Sequence, residues 1–140
     1  MLWDDWSMEG AGNATAVSDA TRLPALFDFL TLARRTSRTL NSVLAEDGLR
    51  EDLWRIMRAV ERGHGLLMGE ISETLVLSPA TTTRLVDELT DLGIVFRRPG
   101  ADDGRKAVVY LSRLGDERLA RVEQLLRSRA AEFDPIALAL

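Results

Sequence analysis

A mainly α-helical fold carrying one small β-hairpin is predicted by three features of this 140-residue chain. Apolar residues recur at intervals of three and four through most of residues 22–133, which is helical spacing. Ser78-Pro79 opens one of those segments as a cap and a first helical residue would. Two short β-prone runs, Ile94–Arg98 and Ala107–Ser112, then flank Asp103-Gly104, a strong hairpin turn signal. A capped helix followed at once by a charged hairpin is the winged helix-turn-helix arrangement.

Composition bounds the rest. The length suits one domain, and 46% apolar with 29% charged residues is ordinary for a globular chain. No apolar run approaches the ~20 residues of a membrane span. The start is acidic, unlike the basic start of a secretory signal. A cytoplasmic location without membrane contact is therefore expected. With no cysteine and one histidine, thiolate metal sites, disulfides and thiol switches are excluded, and no metal or other cofactor is expected. The net charge of −4 sits wholly in residues 1–21, where Asp4, Asp5, Glu9 and Asp19 face no Lys or Arg. Residues 22–140 are neutral, so an anionic partner would have to be met by a local cluster of cations.

In chain order, residues 1–21 lack any period and are expected to form a mobile acidic tail. Trp3 and Trp6 in it are either exposed, loosely docked on the body, or a partner contact. The first helix is expected from Arg22 to about Glu46, on Leu26, Leu30, Ala33, Ser37, Leu40 and Leu44 with Phe29 and Val43 beside them. Pro24 would fall in its first turn and Gly48 beyond its end. At about 35 Å and apolar on more than one side, such a helix suits packing on another subunit. Arg34, Arg35 and Arg38 form a basic patch, either solvated or on phosphate. Residues 50–62 follow as a helix with Leu53, Trp54, Ile56, Met57 and Val60 inward. His64, in Gly63-His64-Gly65, is expected to be solvated. Residues 67–75 make a third helix with Met68, Ile71 and Leu75 inward.

The fourth helix, capped by Ser78 and running to about Asp91, places Thr82, Leu85, Val86, Leu89 and Leu92 toward the core. Pro79, Ala80, Thr81, Thr83, Arg84 and Asp87 then face outward. A first turn that is small and hydroxyl-bearing lets a helix approach a DNA groove closely and donate to phosphates. An ordinary capped surface helix has the same composition. At the hairpin tip, Arg105 could enter a narrow minor groove with Asp103 holding it, and a solvated, salt-bridged turn again looks alike. A last helix is expected from about Leu114 to Phe133, with Leu119, Val122, Leu125 and Leu126 on one stripe. Pro135 would break it, leaving the apolar end Ile136–Leu140 to pack on the first helix of the same or a partner chain.

Several of these pieces join into a longer pattern. Gly48-Leu49 with Trp54, Glu70-Ile71, the run Leu77–Leu89, Gly93-Ile94-Val95 before Arg97-Arg98, and Asp103-x-Arg105-x-x-x-Val109-x-Leu111-Ser112 followed by Gly115 resemble the MarR (multiple antibiotic resistance regulator) family of dimeric winged helix-turn-helix transcription factors. The resemblance covers about residues 26–126. Ser112 stands where the family usually has Thr. The resemblance implies that Ser78, Pro79, Ala80, Thr81, Thr83 and Arg84 lie in or beside the major groove of double-stranded DNA. It implies that Arg105, braced by Asp103, is the minor-groove residue of the wing, and that Arg97, Arg98 and Lys106 meet phosphates. It further implies a homodimer through N- and C-terminal helices and, as a signal, a small aromatic or phenolic ligand between those helices and the winged domain. Residues 22–48 would be the first dimerisation helix, 49–113 the winged helix-turn-helix, and 114–140 the last helix and tail. Because the chain ends soon after Phe133, the family's final dimerisation helix is expected to be short or missing.

An enzyme is not expected, since no phosphate loop, nucleophile elbow or His-Cys constellation is present. Two classes stay open: a DNA-binding regulator, a repressor by expectation, and a winged protein-interaction module without specific DNA binding.

Overall fold

The computed structural model describes residues 19–101 and 106–139. Among them the order is α1 (Asp19–Leu44), α2 (Glu51–Arg62), β1 (Leu66–Leu67), α3 (Met68–Leu75), α4 (Pro79–Asp91), β2 (Val95–Pro99), β3 (Ala107–Leu111), α5 (Arg113–Ser128) and α6 (Pro135–Ala139). The chain is thus mainly helical with a small antiparallel sheet, and the winged helix-turn-helix is what forms.

The centre of packing is α2. Leu53, Ile56, Met57 and Val60 recur at helical spacing on one face and are all buried. They meet Ile71 and Leu75 of α3, Leu85, Val86 and Leu89 of α4, Ile94, Val95 and Val109 at the sheet, and Leu119 and Val122 of α5. Each such side chain stabilises the fold by roughly 1.5–3 kcal/mol. Trp54 is half-buried at the edge of this cluster.

The first helix departs from expectation at both ends. It begins at Asp19, so Pro24 lies inside it and not in its first turn; there it lacks the N–H that an interior residue donates. It ends at Leu44 and tightens into a 3-10 turn, Ala45–Asp47, closed by Gly48 at φ 71°. Only its C-terminal end joins the core, through Val43 and Leu44. Leu23, Leu26, Phe27, Phe29 and Leu30 are 71, 55, 70, 55 and 56% exposed, so the apolar stripe of this half lies outside the protomer's core.

Three further differences follow from local chemistry. Leu67 leaves the expected third helix and forms β1 with Leu66, opposite Val108 and Val109 of β3. The sheet order is β1-β3-β2, with Val95 opposite Leu111 and Pro99 opposite Ala107. Leu92 is 43% exposed and not core. The helix stops one residue earlier, Gly93 turns the chain at φ 72°, and Ile94 takes the core place while its N–H returns to the Leu89 carbonyl at 2.9 Å. Finally, α5 ends at Ser128, a 3-10 turn covers Ala130–Glu132, and Pro135 opens α6 where it was expected only to break a helix. The five residues of α6 lie against α1, as the apolar end was expected to do.

Candidate nucleic-acid interface

The angle between α3 and α4 is set by a small polar knot. Val76 turns the chain at φ 55°, and the Leu77 N–H returns to Ser72 O at 2.9 Å. The buried Thr82 hydroxyl donates to Ser78 O at 3.0 Å. Its proton being spent there, Ser72 Oγ is the donor in their 2.8 Å contact. One threonine therefore fastens α4 to both α3 and the turn, and being hydrogen-bonded it is tolerated inside.

Above that knot, the first turn of α4 faces out. Ser78, Pro79, Ala80, Thr83 and Arg84 are exposed and Thr81 half-buried. Ser78 Oγ accepts the Thr81 N–H at 3.1 Å and donates to Thr81 Oγ1 at 2.9 Å. The Thr81 hydroxyl proton is left to donate outward. Thr83 Oγ1 donates to Pro79 O at 3.0 Å, which leaves its lone pairs as acceptors. Neighbouring threonines thus present opposite hydrogen-bonding characters. The positive end of the helix dipole adds to the attraction for an anion here.

The hairpin strands carry further cations. Arg97 is paired with Asp87 of α4, which ties β2 to the helix and shares the arginine's charge. Arg98 lies 5.1 Å over the Phe96 ring, which itself stacks on Tyr110 at 5.6 Å. Lys106 is exposed at the start of the returning strand. Asp103 and Arg105, on which the wing expectation rests most heavily, lie outside the described residues, as do Trp3 and Trp6. His64 is exposed at φ 51°.

Supports that the sequence did not announce hold this surface in place. Arg50, just before α2, grips Glu88 of α4 through two hydrogen bonds of 2.7 and 2.8 Å. That bonding holds the Glu88 carboxyl below its ordinary range and raises the Arg50 guanidinium further. Neither this pair nor Asp87–Arg97 leaves a local signature, since the partners stand 38 and 10 positions apart. At the base of the hairpin, Ser112 Oγ accepts the Gly115 N–H at 3.0 Å and donates to the Gly93 and Ile94 carbonyls. The hydroxyl is the working group. Among the described residues no three His, Asp or Glu side chains converge on a metal position.

Comparison with known proteins places this geometry. The MarR family model matches residues 53–106. The HTH-type transcriptional repressor IacR of Pseudomonas putida is 25% identical over 104 residues, covering 72% of this chain. The match spans 62% of that repressor's length. In fold, a mutant MarR from E. coli complexed with operator DNA superposes with a TM-score of 0.71 at 19% identity, over 83% of this chain and 86% of that one. The transcriptional regulator BldR of Sulfolobus solfataricus does so with a TM-score of 0.72 at 20% identity, over 79% and 80%. In sequence over the winged domain and in fold over about four fifths of its length, the chain is MarR-family-like, a winged helix-turn-helix protein resembling those regulators.

Proposed function

We propose that this chain is a homodimeric transcription repressor that binds a pseudo-palindromic operator and releases it when a small aromatic or phenolic ligand binds between the dimer helices and the winged domain. The observation that carries the reading is the first turn of α4: small, capped, outward, bearing one free donor hydroxyl, one acceptor hydroxyl and Arg84. Such a turn fits a major groove, where Arg84 would meet a guanine edge or phosphate. Arg98 and Lys106, with Arg97 shared by Asp87, supply backbone cations, and Arg105 braced by Asp103 is the wing's minor-groove residue in this proposal. The likeness to a MarR bound to operator DNA supports the docking mode. Two α4 helices about 34 Å apart would enter successive major grooves. No helix among the described residues is long and apolar enough to cross a membrane, and a cytoplasmic place is part of the proposal.

One observation favours the protein-interaction alternative. Past its first turn the outer face of α4 carries Asp87, Glu88 and Asp91; Arg97 and Arg50 offset the first two, and Asp91 repels phosphate. Selection of bound sites from random duplex DNA separates the two. An inverted repeat with half-sites one helical turn apart is expected, and Arg84→Ala should weaken that site more than unrelated DNA, by about tenfold for one good base contact. No enriched motif at low salt would hand the case to the interaction module.

A further inference from the structure

Between the middle of α1 and the 3-10 turn that follows α5 lies a groove of about 470 Å³. Leu32 and Phe133, both half-buried, form its apolar part. Arg35 and Arg38 stand on the α1 side, Glu132 and Asp134 across from them. The charges do not cancel across the groove. Glu132 is held by Arg129 at 2.6 Å, and Asp134 turns one oxygen to the Ile136 N–H at 2.9 Å. Arg35, Arg38 and the neighbouring Arg34 are exposed and have no ion-pair partner among the described residues. None of these residues belongs to the DNA face proposed above. At about 3.6 residues per turn, the groove lies about half a turn round α1 from its exposed apolar stripe.

The first nine residues have the matching chemistry. Trp3 and Trp6 flank Asp4-Asp5, Glu9 follows, and there is no Lys or Arg. Residues 10–18 then carry no charge at all. We infer that residues 1–9 dock in this groove of their own chain, one indole ring on Leu32 and Phe133 and the three acids facing Arg34, Arg35 and Arg38. The reach fits. Arg35 is 16 residues beyond the start of α1 at Asp19, about 24 Å along the axis. Residues 10–18 span up to about 30 Å when extended, so a chain turning back along α1 brings the acidic segment to the arginines. An indole suits the groove because its body is apolar and its N–H finds acceptors in the carboxylates across from the arginines. A guanidinium over the ring face adds cation–π attraction. The exposed ion pairs give register more than energy, and the buried ring supplies most of the affinity. A DNA phosphate would meet the cations and leave the apolar part uncovered.

The chain has no cysteine, so Gly10→Cys gives a single attachment point for a nitroxide beside the acidic segment. In the full, isotope-labelled chain, the amide signals of residues 32–39 and 132–134 should lose most of their intensity, while those of α4 keep theirs. Arg35→Glu with Arg38→Glu, both exposed changes, should restore the intensity with the circular dichroism spectrum intact. Asp4→Lys with Asp5→Lys added to that variant should bring the loss back. Trp3→Ala with Trp6→Ala, outside the packed core, should by itself abolish the loss. When the nitroxide is carried only by an excess of unlabelled chain, the labelled chain should be broadened less. Full intensity at the groove, or broadening that survives the arginine or the tryptophan variants, would overturn the assignment. So would broadening as strong from the second copy, which puts the segment on a partner, or broadening centred on α4, which puts it over the DNA face. No DNA is present in any sample, so the reading of α4 is judged separately.

Discussion

Single atoms decide how the hairpin meets the last long helix. A Cβ on Gly115 would stand 2.1 Å from the Ile94 carbonyl oxygen, which is backbone and has nowhere to go. The glycine is needed for close approach and not for an unusual backbone angle. The same carbonyl accepts the Ser112 N–H at 2.9 Å, so the start of β2, the end of β3 and the first turn of α5 share one point. Gly115→Ala should therefore destabilise the protein by about 1–3 kcal/mol, the usual cost of overpacking. Urea unfolding checks this, with a lower midpoint at unchanged slope. A variant as stable as the parent would mean that the strand start yields freely. Gly65 is the second such point, at φ 103° with the Tyr110 ring 2.4 Å from a hypothetical Cβ, and it closes the turn that brings β1 to the sheet.

Between elements, the principal tie of α5 to the α1–α2 junction is Asp47. Its carboxylate takes Arg118 at 3.1 Å and Arg121 at 2.9 Å, and Arg118 also bonds the Asp47 carbonyl. Burial pushes this carboxyl up, but the hydrogen bonds from Arg121 and Arg118 outweigh it and leave it below its ordinary value. A carboxyl depressed on folding adds stability that is whole above the unfolded value near 4 and fades as pH falls through the folded one. Asp47→Asn should cost about 1–2 kcal/mol at neutral pH, and the gap from the parent should close below about pH 4. Thermal melts of both proteins across that range test it; a gap that persists at low pH would put the effect in packing. Such ties were illegible beforehand because Asp47 and Arg118 are 71 positions apart. What was legible had a local cause. Ser78-Pro79 and Gly93 bracket α4, and alternation with Asp103-Gly104 marks β2 and β3. A two-residue strand has no period, so β1 was missed and Leu67 was read as the start of the third helix. Leu92 kept the helical period after the helix had ended, whereas the outward stripe on α1 was legible in a helix apolar on more than one side.

At the scale of the molecule, that outside stripe is what the protomer's own energetics leave unexplained. Five large apolar side chains on α1, and Ile136 and Leu138 on α6, are more than half exposed in the protomer. Left in water they contribute nothing to stability, and a patch of this kind on an isolated chain marks an interface. A second copy covering both helices would explain it and would fix the separation of two α4 helices, since two-fold symmetry in the protein matches two-fold symmetry in an operator. Phe27→Glu with Leu30→Glu tests this directly. Both residues are exposed, 70 and 56%, so the winged domain should keep its fold, visible in an unchanged near-ultraviolet spectrum. Sedimentation should move from dimer to monomer, and affinity for a two-half-site operator should fall by roughly 10²–10⁴, the cost of losing the linked second contact. A variant that stays dimeric puts the interface elsewhere on the chain. A monomer with undiminished affinity would instead mean that one winged domain suffices for DNA, and that the exposed face of α1 serves another partner.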